Sequence, residues 1–86
     1  MTVPVEIYTT DYCAYCFVAK RLLDKRKIPY VEIDVSGDAE KRRWLVATTG
    51  RRTVPQIFIG GVSIGGSDEL HALDKSGKLA AMLSPA

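Results

Sequence analysis

The chain has 86 residues, of which 47% are hydrophobic and 26% charged, with a formal net charge of +2. That length suits one domain with a small core that holds without cross-links, and so small a charge makes no case for nucleic acid or an anionic membrane as partner. No stretch approaches the ~20 apolar residues that cross a bilayer, and the first residues lack the charged start and apolar middle of a secretion signal, so a cytoplasmic setting is expected.

Residues 3–8 form a β-branched and aromatic run that reads as a strand, with Pro4 suited to its first residues or to an edge. From residue 14 to about residue 27 the pattern turns helical. Phe17, Val18, Leu22 and Leu23 make an apolar stripe opposite Lys20, Arg21, Asp24 and Lys25, and the helix ends before Pro29. Residues 30–35 alternate apolar positions with Glu32 and Asp34, as a second strand does. Asp38 as cap and Gly50 as stop frame a second helix through Trp44, Leu45 and Ala47, with Trp44 read as packing. Residues 56–59 and 62–64 are short strands joined at Gly60-Gly61, a hairpin signal. Gly65-Gly66 then turns the chain into a helix starting near Ser67, with Asp68 and Glu69 in its first turn and Leu70 and Leu73 facing inward. Leu79, Met82 and Leu83 suggest one more short helix.

The order β-α-β-α-β-β-α opens on a βαβ unit, whose strands run parallel with a right-handed crossover. The hairpin adds antiparallel strands to the same sheet. Residues 1–86 are therefore expected to form a single α/β domain: a mixed four-stranded sheet flanked by helices, without repeat, linker or low-complexity segment. The runs Lys25-Arg26-Lys27 and Lys41-Arg42-Arg43 read as solvated faces.

Both cysteines lie in DYCAYCF, residues 11–17. In a reducing compartment such a pair is catalytic or metal-binding rather than a permanent staple. Cys13 falls where the loop after the first strand meets the helix, and Cys16 one turn further in. Unpaired N–H groups and the helix dipole favour negative charge on a sulfur at that start, and a thiol so placed drops from a pKa of about 8.5 into the range of roughly 3.5–7.5. The loop exposes Cys13 and the helix body shields Cys16, so the first attacks and the second resolves. Their i, i+3 spacing puts both sulfurs on one face, in reach of a disulfide that thiolate attack opens readily. As a staple that ring would constrain the unfolded chain only slightly. Structural zinc takes four ligands, whereas the chain has no second cysteine pair and one histidine, His71, which reads as solvent-facing or partly packed. No metal site is expected within one chain; one shared between two chains stays open.

CAYC (13–16), TVP (53–55) and GGSD (65–68), with VEIYT before the cysteines and QIFIGG after the proline, resemble a dithiol glutaredoxin over nearly the whole chain. The resemblance implies the thioredoxin fold. It also implies glutathione-dependent reduction of protein disulfides and glutathione mixed disulfides, in the service of cell redox homeostasis. Cys13 would be the nucleophile and Cys16 the resolving thiol, with a second glutathione regenerating Cys13. Pro55 would follow a cis bond and turn the Val54 backbone outward beside Thr53, so that extended glutathione pairs with it like an added strand. Gly66, Ser67 and Asp68 would hold the γ-glutamyl end while also capping the helix, backbone N–H groups serving its carboxylate and Asp68 its ammonium. The carboxylate on the glycine of glutathione would go to Arg52 first and Arg42 second, with Lys20 badly placed and Tyr15 beside the groove. The partners implied are glutathione as co-substrate and glutathionylated or disulfide-bearing proteins, served by a monomer with no tightly bound cofactor.

Two positions depart from the family pattern. Ala14 stands where many glutaredoxins carry proline, which frees a backbone N–H and leaves the redox potential open. Thr10 stands where many carry lysine, which removes one charge near the thiolate, with Arg51 and Arg52 available to offset the loss. The non-proline spacer also keeps a second class in view: a carrier of a [2Fe–2S] cluster held between two chains by Cys13 of each and two glutathiones. A thioredoxin-like donor served by a flavin reductase is a third reading, disfavoured by TVP and GGSD.

Overall fold

Pro4 has no N–H to give a ladder, and its carbonyl instead accepts from Gly60 N at 2.8 Å, so the first strand, β1, begins one residue later at Val5–Thr9. In the computed structural model, which describes residues 3–84, it is followed by α1 (Ala14–Lys25), β2 (Val31–Asp34), α2 (Ala39–Thr49), β3 (Gln56–Ile59), β4 (Val62–Gly65), α3 (Ser67–Ser76) and α4 (Lys78–Leu83). The sheet order is β2-β1-β3-β4, with β1 and β2 parallel and the other neighbours antiparallel. This is the mixed four-stranded sheet expected from the element order. Among the described residues no helix is long and apolar enough to cross a membrane.

Period-two alternation sends side chains to both faces of the central strands. Val5 and Ile7 of β1 and Ile57 and Ile59 of β3 face one way, where they meet Ala19, Leu22 and Leu23 of α1, Leu70 of α3 and Leu79 of α4. Tyr8 and Phe58 face the other way, against Leu45 of α2 and Val35. β3 is buried along its whole length because helices cover both of its faces. Each of the large aliphatic side chains so removed from water contributes about 1.5–3 kcal/mol. On the α2 side Trp44 stacks over Phe58 with ring centroids 6.0 Å apart and meets Tyr8 at 5.6 Å, yet keeps 47% of its surface exposed.

The inward face of α1 differs from the expected stripe. Cys16, Ala19, Leu22 and Leu23 are buried, whereas Phe17 and Val18 are 60% and 42% exposed. At 100° per residue Cys16 and Ala19 lie within about 40° of Leu23 around the axis, and Phe17 lies about 120° away. The small residues thus let the helix sit close on the sheet, and the larger Phe17 is left outside under the Arg21 guanidinium, 5.9 Å from its ring centre.

α1 stops at Lys25 rather than Lys27 through a Schellman closure. Ile28 N–H donates to Leu23 O at 2.9 Å and Lys27 N–H to Asp24 O at 3.0 Å. Lys27 takes the left-handed position, φ 57°, that glycine usually fills, and Ile28 tucks against the core beyond it. α2 has the two ends expected: Asp38 Oδ1 accepts from Lys41 N at 2.9 Å, and Gly50 closes the helix at φ 74°.

Candidate functional site

Asp11, Tyr12 and Cys13 carry the chain from β1 into α1. Asp11 N–H donates to Ser36 Oγ at 2.7 Å, and Ser36 N–H in turn to Asp34 Oδ1 at 2.8 Å, which ties this loop to the end of β2. Tyr12 adopts a left-handed backbone, φ 54°, with its ring fully in solvent. That turn delivers Cys13 as the N-cap of α1 in extended conformation, with Ala14 as the first helical residue. Cys13 Sγ accepts a hydrogen bond from Cys16 N–H at 3.0 Å, so one of the orphan donors of the helix start points at sulfur. The two cysteines are joined in a disulfide with their Cα atoms 5.2 Å apart. Cys16 is 2% exposed, while Cys13 is only half-buried and Tyr15 beside it lies open.

Cys13 Sγ lies 3.6 Å from the Val54 carbonyl oxygen, across the start of α1 from the loop before β3. The Val54-Pro55 bond is cis and Pro55 is buried. Gln56, wholly enclosed, braces this loop by donating from Nε2 to Thr53 O at 2.7 Å. The start of α3 presses on the same loop: a Cβ placed on Gly66 would sit 3.0 Å from Pro55 O, so the close approach needs glycine. Between these segments lies a groove of about 250 Å³ lined by Tyr15, Thr53, Val54, Pro55, Gly66, Ser67 and Asp68, together with Arg51 and Glu69. Arg52 and Arg42 do not line it. They stand in an adjoining cleft that shares Arg51, Thr53 and Val54 with the groove. Lys20 is turned elsewhere, paired with Glu32 at 3.0 Å. His71 Nδ1–H donates to Ser67 O at 2.7 Å, one helical turn back on α3.

A half-buried sulfur capping a helix, a buried partner sulfur three residues on, and a groove opening beside them form a thiol–disulfide exchange site. The glutaredoxin family model matches residues 5–64. The chain belongs to the glutaredoxin family. It is 49% identical over 81 residues to a glutaredoxin of Pseudomonas aeruginosa, an alignment covering 94% of this chain and 96% of the relative. It is 47% identical over 79 residues to glutaredoxin 3 of Escherichia coli, covering 92% of this chain and 95% of that one. Among solved structures it superposes with TM-score 0.87 on a buckwheat glutaredoxin–glutathione complex, at 36% identity, covering 94% of this chain and 76% of the other. This glutaredoxin thus has the thioredoxin fold of its family and is a thiol–disulfide oxidoreductase. Among its described residues, no three or more His, Cys, Asp or Glu side chains gather as metal ligands would.

Two residues of the groove carry no part in the motifs. Glu69, at the third position of α3, reaches back so that its Oε1 accepts from Gly66 N–H at 2.7 Å, and the same oxygen holds Arg51 Nη1 at 2.5 Å. Gly66 is therefore the N-cap and Glu69 supplies the capping contact, whereas Ser67 and Asp68 are the first two helical residues. The signal is present in the sequence as a glutamate three residues after the cap, half of a capping box. The Arg51 guanidinium first, and the Gly66 N–H second, hold the Glu69 carboxyl below its ordinary pKa. A carboxyl lowered by folding stabilises the native state above its unfolded pKa, and that contribution fades as pH falls through the folded one. Glu69→Gln is accordingly expected to be less stable than the parent at pH 7 by under about 1 kcal/mol, since this ion pair is partly exposed. In urea titrations the gap should close as pH drops below the carboxylate range; a gap that persists there would assign the loss to packing instead.

Proposed function

We propose that glutathione lies extended along the groove with its sulfur at Cys13, and that Cys13 works as the nucleophile and Cys16 as the resolving thiol. The observation that carries the reading is the Cys13 sulfur itself, capping α1 at 3.0 Å from Cys16 N–H and standing 3.6 Å from the Val54 carbonyl at the edge of the groove. Helix N–H groups aimed at sulfur favour the thiolate, which is the reactive form.

With a glutathionylated substrate, Cys13 thiolate attacks the glutathione sulfur. A Cys13–glutathione disulfide forms, the substrate sulfur leaves as thiolate, and it picks up a proton from water. A second glutathione thiolate then attacks the bound glutathione sulfur, giving glutathione disulfide and restoring Cys13 thiolate. With a protein disulfide, Cys13 forms the mixed disulfide and Cys16 displaces the substrate, leaving the Cys13–Cys16 bond seen here. Two glutathiones then reduce that bond.

Recognition follows from backbone and charge. Thr53, Val54 and the cis Val54-Pro55 unit present main-chain groups to an extended peptide. At the other end, the free N–H groups of Ser67 and Asp68 suit the γ-glutamyl carboxylate, and the exposed Asp68 carboxylate suits its ammonium. Tyr15 flanks the groove, and Arg52, then Arg42, are the cations for the glycine carboxylate. One chain supplies every one of these groups, so the protein acts as a monomer, in the cytoplasm where glutathione is kept reduced.

Reduction of a small glutathione mixed disulfide, coupled through glutathione reductase to NADPH consumption, tests the reading. Asp68→Asn is expected to raise KM for the mixed disulfide about fivefold with kcat little changed, the loss of one partly exposed charge-assisted contact. A fall in kcat at constant KM would remove Asp68 from the binding set.

A further inference from the structure

Across the Thr53-Val54 segment from the groove lies the larger cleft, about 520 Å³, between α2 and the loop before β3. Arg42 and Arg43 on α2 and Arg51 and Arg52 on the loop line it, over an apolar floor that includes Val35 and Val46. Among the described residues no acidic side chain lines it. Arg51 is neutralised by Glu69, but among the described residues Arg42, Arg43 and Arg52 form no ion pair, in contrast to Lys20 and Arg26. The acids at the start of α2, its cap Asp38 and Glu40, line a separate hollow with Lys41 and Trp44. A chain of net charge +2 therefore concentrates three unmatched guanidinium groups in one concavity. A merely solvated face would leave such charges spread over convex surface; low-dielectric walls around them focus the field outward.

We infer that this cleft docks an acidic stretch of the substrate polypeptide and so brings the attached cysteine to Cys13. Guanidinium forks pair with carboxylates in two-pronged hydrogen bonds, and the apolar floor accepts an aliphatic or aromatic residue between the acidic ones. Val54 joins the two sites: it lines both hollows, and its carbonyl oxygen is 3.6 Å from the Cys13 sulfur. A polypeptide seated along α2 thus ends with its disulfide beside the attacking Cys13 sulfur. The inference rests on the proposed function for that last step. The single glycine carboxylate of glutathione takes Arg52 or, second, Arg42, which leaves Arg43 and the other of the two for the substrate chain. Arg43, with no part in glutathione binding, separates the two roles.

Two glutathionylated peptides, alike except for an acidic or a lysine-rich tract beside the cysteine, test it. The acidic peptide should be reduced with a kcat/KM about tenfold higher at low salt, the advantage shrinking in 0.5 M salt. Arg43→Glu should erase most of that preference, about fivefold or more, while its rate on a small glutathione mixed disulfide stays within about twofold of the parent. Equal rates on the two peptides, or an undiminished preference in Arg43→Glu, overturn the docking site. Failure of the parent protein on the small mixed disulfide overturns the glutathione reading instead. In that event the cleft is judged by amide chemical shifts of the oxidised protein titrated with a cysteine-free acidic peptide. Shifts along α2 and residues 51–54 that vanish in Arg43→Glu support it, and their absence overturns it.

Discussion

Cys13→Ser is expected to lose more than about 10³-fold of its activity on a small glutathione mixed disulfide, whereas Cys16→Ser keeps most of it. A serine hydroxyl at the N-cap of α1 still accepts the Cys16 N–H, so the fold survives, but the hydroxyl does not ionise near neutral pH and forms no disulfide. Removing glutathione from a mixed disulfide needs one attacking thiol on the enzyme, and the second glutathione comes from solution. Cys16, 2% exposed, is unused in that cycle. On a protein disulfide the order changes: without Cys16 the mixed disulfide with substrate has no internal thiol to release it, and Cys16→Ser should stall there. The measurements are NADPH-coupled rates for both substrates and trapping of the stalled adduct on a non-reducing gel. Residual activity in Cys13→Ser on the small substrate would sink the assignment of the nucleophile.

The parts of this site legible in the sequence are the ones set by neighbouring residues. Cys13 at a helix start, Cys16 one turn in and the proline ahead of β3 follow from spacing along a few residues, and CAYC, TVP and GGSD carry them. What joins them is not local. The Glu69 carboxylate spans Gly66 and Arg51, 18 residues away, and Gln56 braces Thr53 from inside the core. Nothing in the letters RRT says which arginine turns to α3 and which to α2. Adjacent side chains on an extended loop point apart, and the sequence does not say which goes where until the loop is placed. Arg51 proves to reach Glu69 of α3 while lining both hollows, and Arg52 lines only the adjoining cleft.

The fold divides the same way. Element order, the Asp38 and Gly50 ends of α2 and the Gly60-Gly61 hairpin rest on capping and turn chemistry, which is local. The end of α1 escaped because a lysine occupies the left-handed position where glycine would have signalled the stop. β4 runs one residue further than expected, to Gly65, with an irregular register opposite Ile57 and Phe58. Gly65 takes φ 103°, open to glycine and strained for other residues, and a side chain there would meet the Glu69 carboxylate. No hydrophobic pattern announces such a contact.

Leu23→Ala is expected to destabilise the protein by about 3 kcal/mol, and Phe17→Ala by no more than about 0.5 kcal/mol. Leu23 is 0% exposed and packs among Val5, Ile7 and Ile57, so truncation loses the burial of its methyl groups and leaves a hole that the sheet, pinned by ladders on both sides, does not close. Phe17 has solvent over most of its ring and a guanidinium 5.9 Å from its centre, and alanine restores part of the loss through better helix propensity. In a domain this small, 3 kcal/mol corresponds to a fall in Tm of roughly 12–24 °C, so a thermal melt separates the two variants and urea titration gives the energies. Equal costs would mean a helix rotated toward Phe17 and Val18, as the raw apolar stripe suggests. The rotation also decides the chemistry. Cys16 lies two turns before Leu23 on the same face, and the packing that hides Leu23 against the sheet hides the Cys16 sulfur while leaving Cys13 at the open end of the helix. The division of labour between the two thiols is therefore set by the register that this pair of substitutions measures.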